Sequence, residues 1–256
     1  MDKRLRNTLD KRKRRKTRKI IVLGVEGKNQ TETLYFSELE RRQNIYHFIF
    51  HKTNDTDPIK IISNTAKEAK KLGANTKYGD IAAVAFDMDL DNTKTKEYEK
   101  ILKLAKDKNV EVYSSNPCFE LWYLLHFRYS TKPYNSSKEV IDELKKYIPN
   151  YKKNRCDFNI LGPLLYIAIK NAKQLQTKVA ETNKNKESII NNPNTDIFKL
   201  VEIILENNNK DKKSSGSITG WLITILYDLN LFLLFSKQII YFRDRMMSRY
   251  CSNNLS

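Results

Sequence analysis

Ile81-Ala82-Ala83-Val84-Ala85-Phe86-Asp87-Met88-Asp89 runs six apolar residues into two carboxylates. An apolar run of that length with no polar alternation reads as a strand buried on both faces. Residues 20–25, 46–51 and 110–114 repeat the pattern as shorter β-branched or aromatic runs. Helical spacing fills the gaps. Residues 31–44 place Leu34, Tyr35 and Leu39 on one side. Asp57-Pro58 reads as N-cap and N1 of a helix to about Leu72, with Ile59, Ile62, Ala66 and Ala69 in register and Gly73 beyond its end. Residues 95–106 carry Tyr98, Ile101, Leu102 and Ala105 on one face, and Asn116-Pro117 reads as the start of an apolar helix through Phe127. The order β-α-β-α-β-α-β-α predicts an α/β fold, a parallel sheet flanked by helices on both faces. Ligand sites in such sheets lie beyond the carboxyl ends of the strands.

Outward from this core the character changes twice. Residues 137–147, 159–178 and 197–207 read as helices, with a polar loop over 181–194, and predict a C-terminal helical layer. The expected organisation is a basic, disordered arm over 1–19, an α/β core over 20–130, a helical part of the same domain over 131–208, and a polar break with an apolar tail over 209–256. Residues 218–235 of that tail are strongly apolar but interrupted by Asp228 and Asn230. Three readings stand for it: a membrane segment, a buried or partner-binding helix, or a tail altered by a frameshift.

Charge points to the partner. The 256 residues hold 47 Lys plus Arg against 30 Asp plus Glu, a net +17, and residues 1–19 alone contribute +9. Such an excess suits a polyanion, most simply nucleic acid. Arg12, Lys13, Arg14, Arg15, Lys16, Arg18 and Lys19 form either a phosphate-binding arm or a solubilising tail. Cys118, Cys156 and Cys251 lie far apart, which excludes a multi-Cys zinc module and a disulfide scaffold. With no apolar leader after the basic N-terminus, a reducing, cytoplasmic setting is expected.

The carboxylates carry the chemistry. Glu26-Gly27 ends the first strand, and Asp87, Asp89 and Asp91 follow the third. If those strands are neighbours, Glu26, Asp87 and Asp89 converge at one edge and need a compensating cation. Oxygen donors favour Mg²⁺ or Mn²⁺ over Zn²⁺. The competing reading is a turn whose aspartates cap the next helix. Look-alikes fail on detail. Residues 24–28 are too short for a P-loop and lack the Ser or Thr after Lys28. An EF-hand beginning at Asp87 would need Gly at Asn92 and Glu at Tyr98. A DxDx(T/V) phosphatase would need Thr or Val at Asp91.

Val25-Glu26-Gly27, Thr31-Glu32, Tyr35-Phe36, Asp87-Met88-Asp89 and the segment from Ser115-Asn116-Pro117-Cys118-Phe119-Glu120-Leu121-Trp122 to Leu125-His126-Phe127, with Asn192-Pro193-Asn194-Thr195, resemble the RloB-like family, which includes the abortive-infection protein AbiLii. The resemblance spans about residues 18–208. It implies a Toprim-like domain, in which a Glu after the first strand and a DxD after the third hold Mg²⁺ for phosphodiester chemistry. Carried over, these are Glu26, Asp87 and Asp89. The short Glu-Gly-x-x-Asp pattern common in Toprim proteins is absent; Glu32 either supplies the extra acid or sits in a helix's first turn near its dipole. The resemblance also implies phage defence and an ABC- or SMC-like ATPase encoded alongside. Glu120 is either a helix-start charge or a fourth ligand or general base, and Lys28 a phosphate neutraliser. Three functions remain open: a Mg²⁺-dependent nuclease, a non-catalytic module that binds nucleic acid or the ATPase, and a toxin acting on tRNA or a small nucleotide. An oligomer is compatible with each.

Overall fold

The computed structural model describes residues 18–26, 31–52, 55–90, 92–182 and 192–214. The residues 1–17, Gly27, Lys28, Asp91 and the tail from 215 lie outside these. The strands are β1 (Lys19–Val25), β2 (Tyr46–Lys52), β3 (Ile81–Asp87), β4 (Glu111–Asn116) and β5 (Asn194–Thr195). The helices are α1 (Thr31–Glu40), α2 (Pro58–Lys71), α3 (Asn92–Asp107), α4 (Glu120–Leu125), α5 (Ser137–Leu144), α6 (Phe158–Leu161), α7 (Leu165–Thr182) and α8 (Ile197–Ser214).

The sheet order is β2-β1-β3-β4-β5. The first four strands are parallel, with Ile21 opposite Ile81 and Ala83 opposite Glu111. So β1 and β3 are neighbours, as convergence of their terminal acids requires. The parallel sheet expected from the sequence is present, with one antiparallel strand added at its edge. There β5 pairs antiparallel to β4, Ser115 opposite Thr195 and Asn116 opposite Asn194. A two-residue strand has no periodicity to read. It closes the edge through the Ser115 and Thr195 hydroxyls at 2.8 Å and the Asp196 N–H on the Ser114 carbonyl at 2.9 Å.

Side chains alternate across the sheet as the pleat demands. Ile21, Leu23, Val25, Ala83 and Ala85 face one core with α1, α4, α5, α7 and α8. Val84 and Phe86 face the other with Ile61 and Ile62 of α2 and Tyr98, Ile101 and Ala105 of α3. The C-terminal helical layer therefore shares a core with the sheet. Asp57 caps α2 through the Ile59 N–H at 2.9 Å, as its sequence predicts. At Gly24 a Cβ would stand 2.0 Å from the Thr65 Oγ1, so α2 lies on β1 at a distance only glycine permits.

One helix start is corrected. Asn116 and Pro117 do not open α4; β4 runs through Asn116, the Asn116-Pro117 peptide is cis, and α4 begins at Glu120. The strand register with Asn194 claims the residue that a local capping rule assigns to the helix. Among the described residues no helix is long and apolar enough to cross a membrane.

His126 closes α4. Its ring lies 4.9 Å from Trp122, edge to face, and its Nδ1 is 2.9 Å from the Trp122 carbonyl. Burial pushes its pKa down to about 4. The unfolded chain binds the proton first as pH falls, so stability drops between about 6.5 and 4. We expect the wild type to lose on the order of 3 kcal/mol across that window relative to His126→Gln. Thermal unfolding of both at pH 4.5, 5.5 and 7 checks this; parallel profiles would remove His126 from the acid response.

Candidate functional site

Five carboxylates meet at the carboxyl edge of the sheet. Glu26 follows β1, Glu32 lies in the first turn of α1, Asp87 ends β3, Asp89 follows it and Glu120 opens α4. Four of the five are buried; Asp89 is exposed. The turn after β3 is held from β4: the Met88 N–H donates to the Ser115 carbonyl at 2.8 Å and the Asp89 N–H to the Pro117 carbonyl at 2.9 Å. Asp89 and Leu90 both adopt positive φ, 52° and 58°. Two successive non-glycine residues there carry backbone strain, a feature that concentrates at functional sites.

Asp87 bridges strand and helix. Its Oδ1 accepts the Phe119 N–H at 2.8 Å, satisfying one of the donors left open at the start of α4. Burial, then repulsion from Glu32, Glu120, Asp89 and Glu26, raises its pKa well above the ordinary carboxylate value. Burial raises Glu32 to about 8, against its own backbone hydrogen bond and with Glu120 and Glu26 adding repulsion. Its buried Oε2 has no hydrogen-bond partner. Glu26 is raised by burial despite the nearby Lys94.

Two ammonium groups answer this charge. Lys94, in the first turn of α3, donates to the Asp87 carbonyl at 2.6 Å, Glu26 Oε1 at 3.1 Å and Asp89 Oδ2 at 3.3 Å. Burial alone would lower its pKa, but Glu26 and Asp89 outweigh it and the net shift is upward. Lys153 Nζ lies 3.9 Å from Glu120 Oε1, and its carbonyl accepts the Thr31 hydroxyl at 2.5 Å. Tyr151 donates its hydroxyl to the same Glu120 Oε1 at 2.9 Å.

The donor set, all carboxylate with an unpartnered oxygen on Glu32, has the chemistry a hard divalent cation wants. As the side chains stand, no three His, Cys, Asp or Glu among the described residues are arranged to hold a metal ion. Lys94 takes the place between Glu26 and Asp89.

This edge, with the aromatic α4 behind it, falls inside a single family match. The family model for RloB-like proteins matches residues 21–204. The chain belongs to the RloB-like family. No curated protein and no solved structure matches it.

Of the site residues expected in this RloB-like chain, Glu26, Asp87, Asp89 and Glu120 stand together, and Glu32 joins them. Lys28 and the arm residues Arg12, Lys13, Arg14, Arg15 and Lys16 lie outside the described residues. Arg18 and Lys19 stand at the opposite, amino edge of the sheet. The Arg18 guanidinium binds the Tyr46 carbonyl and lies 3.3 Å from Glu40 Oε1, and Lys19 sits over the Tyr46 ring. Sequence reading missed Lys94, Lys153 and Tyr151. For Lys94 a signal existed: a cation in a helix's first turn opposes the dipole and invites a search for the anion that holds it. For Lys153 and Tyr151, which reach the site from the loop after α5, there was none.

Proposed function

We propose that this chain is a divalent-cation-dependent phosphodiesterase of Toprim type that cleaves nucleic acid, an effector of bacterial phage defence in the AbiLii group. The observation that carries the reading is the five-carboxylate edge, with a Glu after β1 and a DxD after β3 on adjacent strands. The net charge of +17 supports a polyanionic substrate.

Glu26, Asp87, Asp89 and Glu32 would hold Mg²⁺ or Mn²⁺, which when bound supplies a Lewis acid and an acidified water. The remaining roles belong to the chain. Asp87 keeps Oδ1 on the Phe119 N–H, which leaves its second oxygen for a ligand. Lys94, once turned from Glu26, neutralises the phosphate at the same edge. Glu120, oriented by Tyr151 and next to Lys153, is placed to take a proton. The basic arm would hold the backbone without reading sequence. An ABC- or SMC-like ATPase encoded alongside is the partner this reading favours, and a homo-oligomer is compatible with it.

One observation favours a second reading. Lys94 already neutralises Glu26 and Asp89, as it would in a non-catalytic module that binds nucleic acid or the ATPase. Cleavage of plasmid DNA and total tRNA, with Mg²⁺, Mn²⁺ or EDTA, decides between them. Asp87→Asn is the informative variant because an amide oxygen still accepts the Phe119 N–H. We expect metal-dependent cleavage of one substrate and its loss in Asp87→Asn. Cleavage that survives in Asp87→Asn or in EDTA would sink the proposal.

A further inference from the structure

Beyond Glu120 the loop after α5 lines a second concavity. There Tyr123, Ile148, Asn150, Tyr151, Arg155 and Asp157 line a cleft of about 140 Å³. An apolar cavity of about 150 Å³ accepts a benzene ring, so the space suits a flat ring system. Tyr123 and Tyr151 meet edge to face in one corner, ring centres 5.9 Å apart and planes at 84°. The wall is shared with the acid edge. Tyr151 lines the cleft while its hydroxyl holds Glu120.

The polar lining is of three kinds. Arg155 offers donors only, the Asp157 carboxylate acceptors only, and Asn150 both. None of these three side chains makes a hydrogen bond or ion pair among the described residues. Arg155 and Asp157 are two residues apart and oppositely charged, yet do not pair. Asp157 precedes α6 without capping it through its side chain. A nucleobase combines the features this lining answers, an aromatic plane edged by in-plane donors and acceptors. A carboxylate meets exocyclic amino groups and a guanidinium meets ring nitrogen and carbonyl acceptors.

We infer that this cleft is a nucleobase subsite, holding the base of a nucleotide next to the phosphate addressed by the acid edge. The inference rests on the proposed phosphodiesterase reading for its choice of ligand. The base stacks in the corner made by Tyr123 and Tyr151 and is selected by Arg155, Asp157 and Asn150. Only an unpaired or extruded base can enter such a cleft, so the substrate class is single-stranded or locally opened nucleic acid.

The test uses the full chain with Mn²⁺ present, since nucleoside monophosphates carry no phosphodiester bond to cleave. Binding of the four nucleoside 5′-monophosphates is measured by calorimetry against ribose 5-phosphate, which has the phosphate and no base. We expect at least one nucleotide to bind on the order of tenfold tighter than ribose 5-phosphate. Arg155→Ala and Asp157→Ala should each remove most of that margin and leave ribose 5-phosphate binding unchanged. Arg155 is exposed and Asp157 half-buried, and an unchanged melting temperature confirms the fold of each variant. Four nucleotides that bind like ribose 5-phosphate, or a margin kept by both variants, would overturn the subsite. A base-dependent margin in a chain that cleaves nothing keeps the subsite and removes the nuclease. Metal-dependent cleavage with no such margin does the reverse.

Discussion

Glu32→Gln is expected to melt at a higher temperature than the wild type in EDTA at pH 8, the reverse of the usual effect of changing a buried residue. Glu32 is buried, one of its oxygens is unpartnered, and its pKa stands near 8. The folded-state value lies above the unfolded one. The folded chain therefore holds an extra proton between about pH 4.5 and 8, and the stability tied to it is complete at low pH and lost as pH rises through 8. Glutamine keeps the shape and never ionises. The expected gain is ~2–4 kcal/mol at pH 8, or roughly 5–15 °C for a chain of this size, shrinking towards zero near pH 4.5. Mn²⁺ should narrow the difference. At a hundredfold excess over its dissociation constant an ion adds about 2.7 kcal/mol, and this gain should be larger in the wild type and larger at pH 8 than at pH 6. Differential scanning fluorimetry over pH with EDTA or Mn²⁺ reads all four conditions. A variant that is less stable than the wild type at pH 8 would remove Glu32 from the charged cluster.

Lys94→Met is expected to bind Mn²⁺ more tightly and cleave more slowly. The methionine keeps much of the side chain's length and removes the ammonium that lies between Glu26 and Asp89. An entering ion then has no internal competitor, and affinity should rise by about tenfold or more, worth ~1.4 kcal/mol. The same substitution removes the positive charge proposed to meet the phosphate. Cleavage under saturating ion should fall on the order of 10²–10³-fold, the range for deleting one group that stabilises developing charge. Affinity is measured by paramagnetic resonance of Mn²⁺ and is independent of turnover. Unchanged affinity would mean that Lys94 is an ordinary ion-pair partner and not an occupant that the ion displaces.

How much of this was legible in the sequence follows from the range of each interaction. The four parallel strands were readable because burial on both faces writes itself as uninterrupted apolar runs. Glu26, Asp87 and Asp89 were readable because strand ends in such a sheet share an edge. Asn116-Pro117 was misread because a capping signal is local, whereas Asn116 answers to Asn194 from far along the chain. Glu32 stood between two readings because the sequence did not show which way the first turn of α1 faces. Tyr151 and Lys153 lie in a loop whose path depends on the packing of α5 and α6, and no spacing rule carries that information.

β1 has opposite charges at its two ends, Arg18 and Lys19 at one and Glu26 at the other, with seven residues or about 23 Å between. A polyanion drawn to the basic end meets a carboxylate edge that repels it. Lys94 and Lys153 offset part of that repulsion, and a divalent ion would offset the rest. Under the proposed function this arrangement implies an order of assembly: the ion would enter first, and the polymer would reach the carboxylate edge second. Substrate and ion should then show ordered rather than random kinetics, with nucleic acid saturating productively only above the ion concentration that fills the carboxylates.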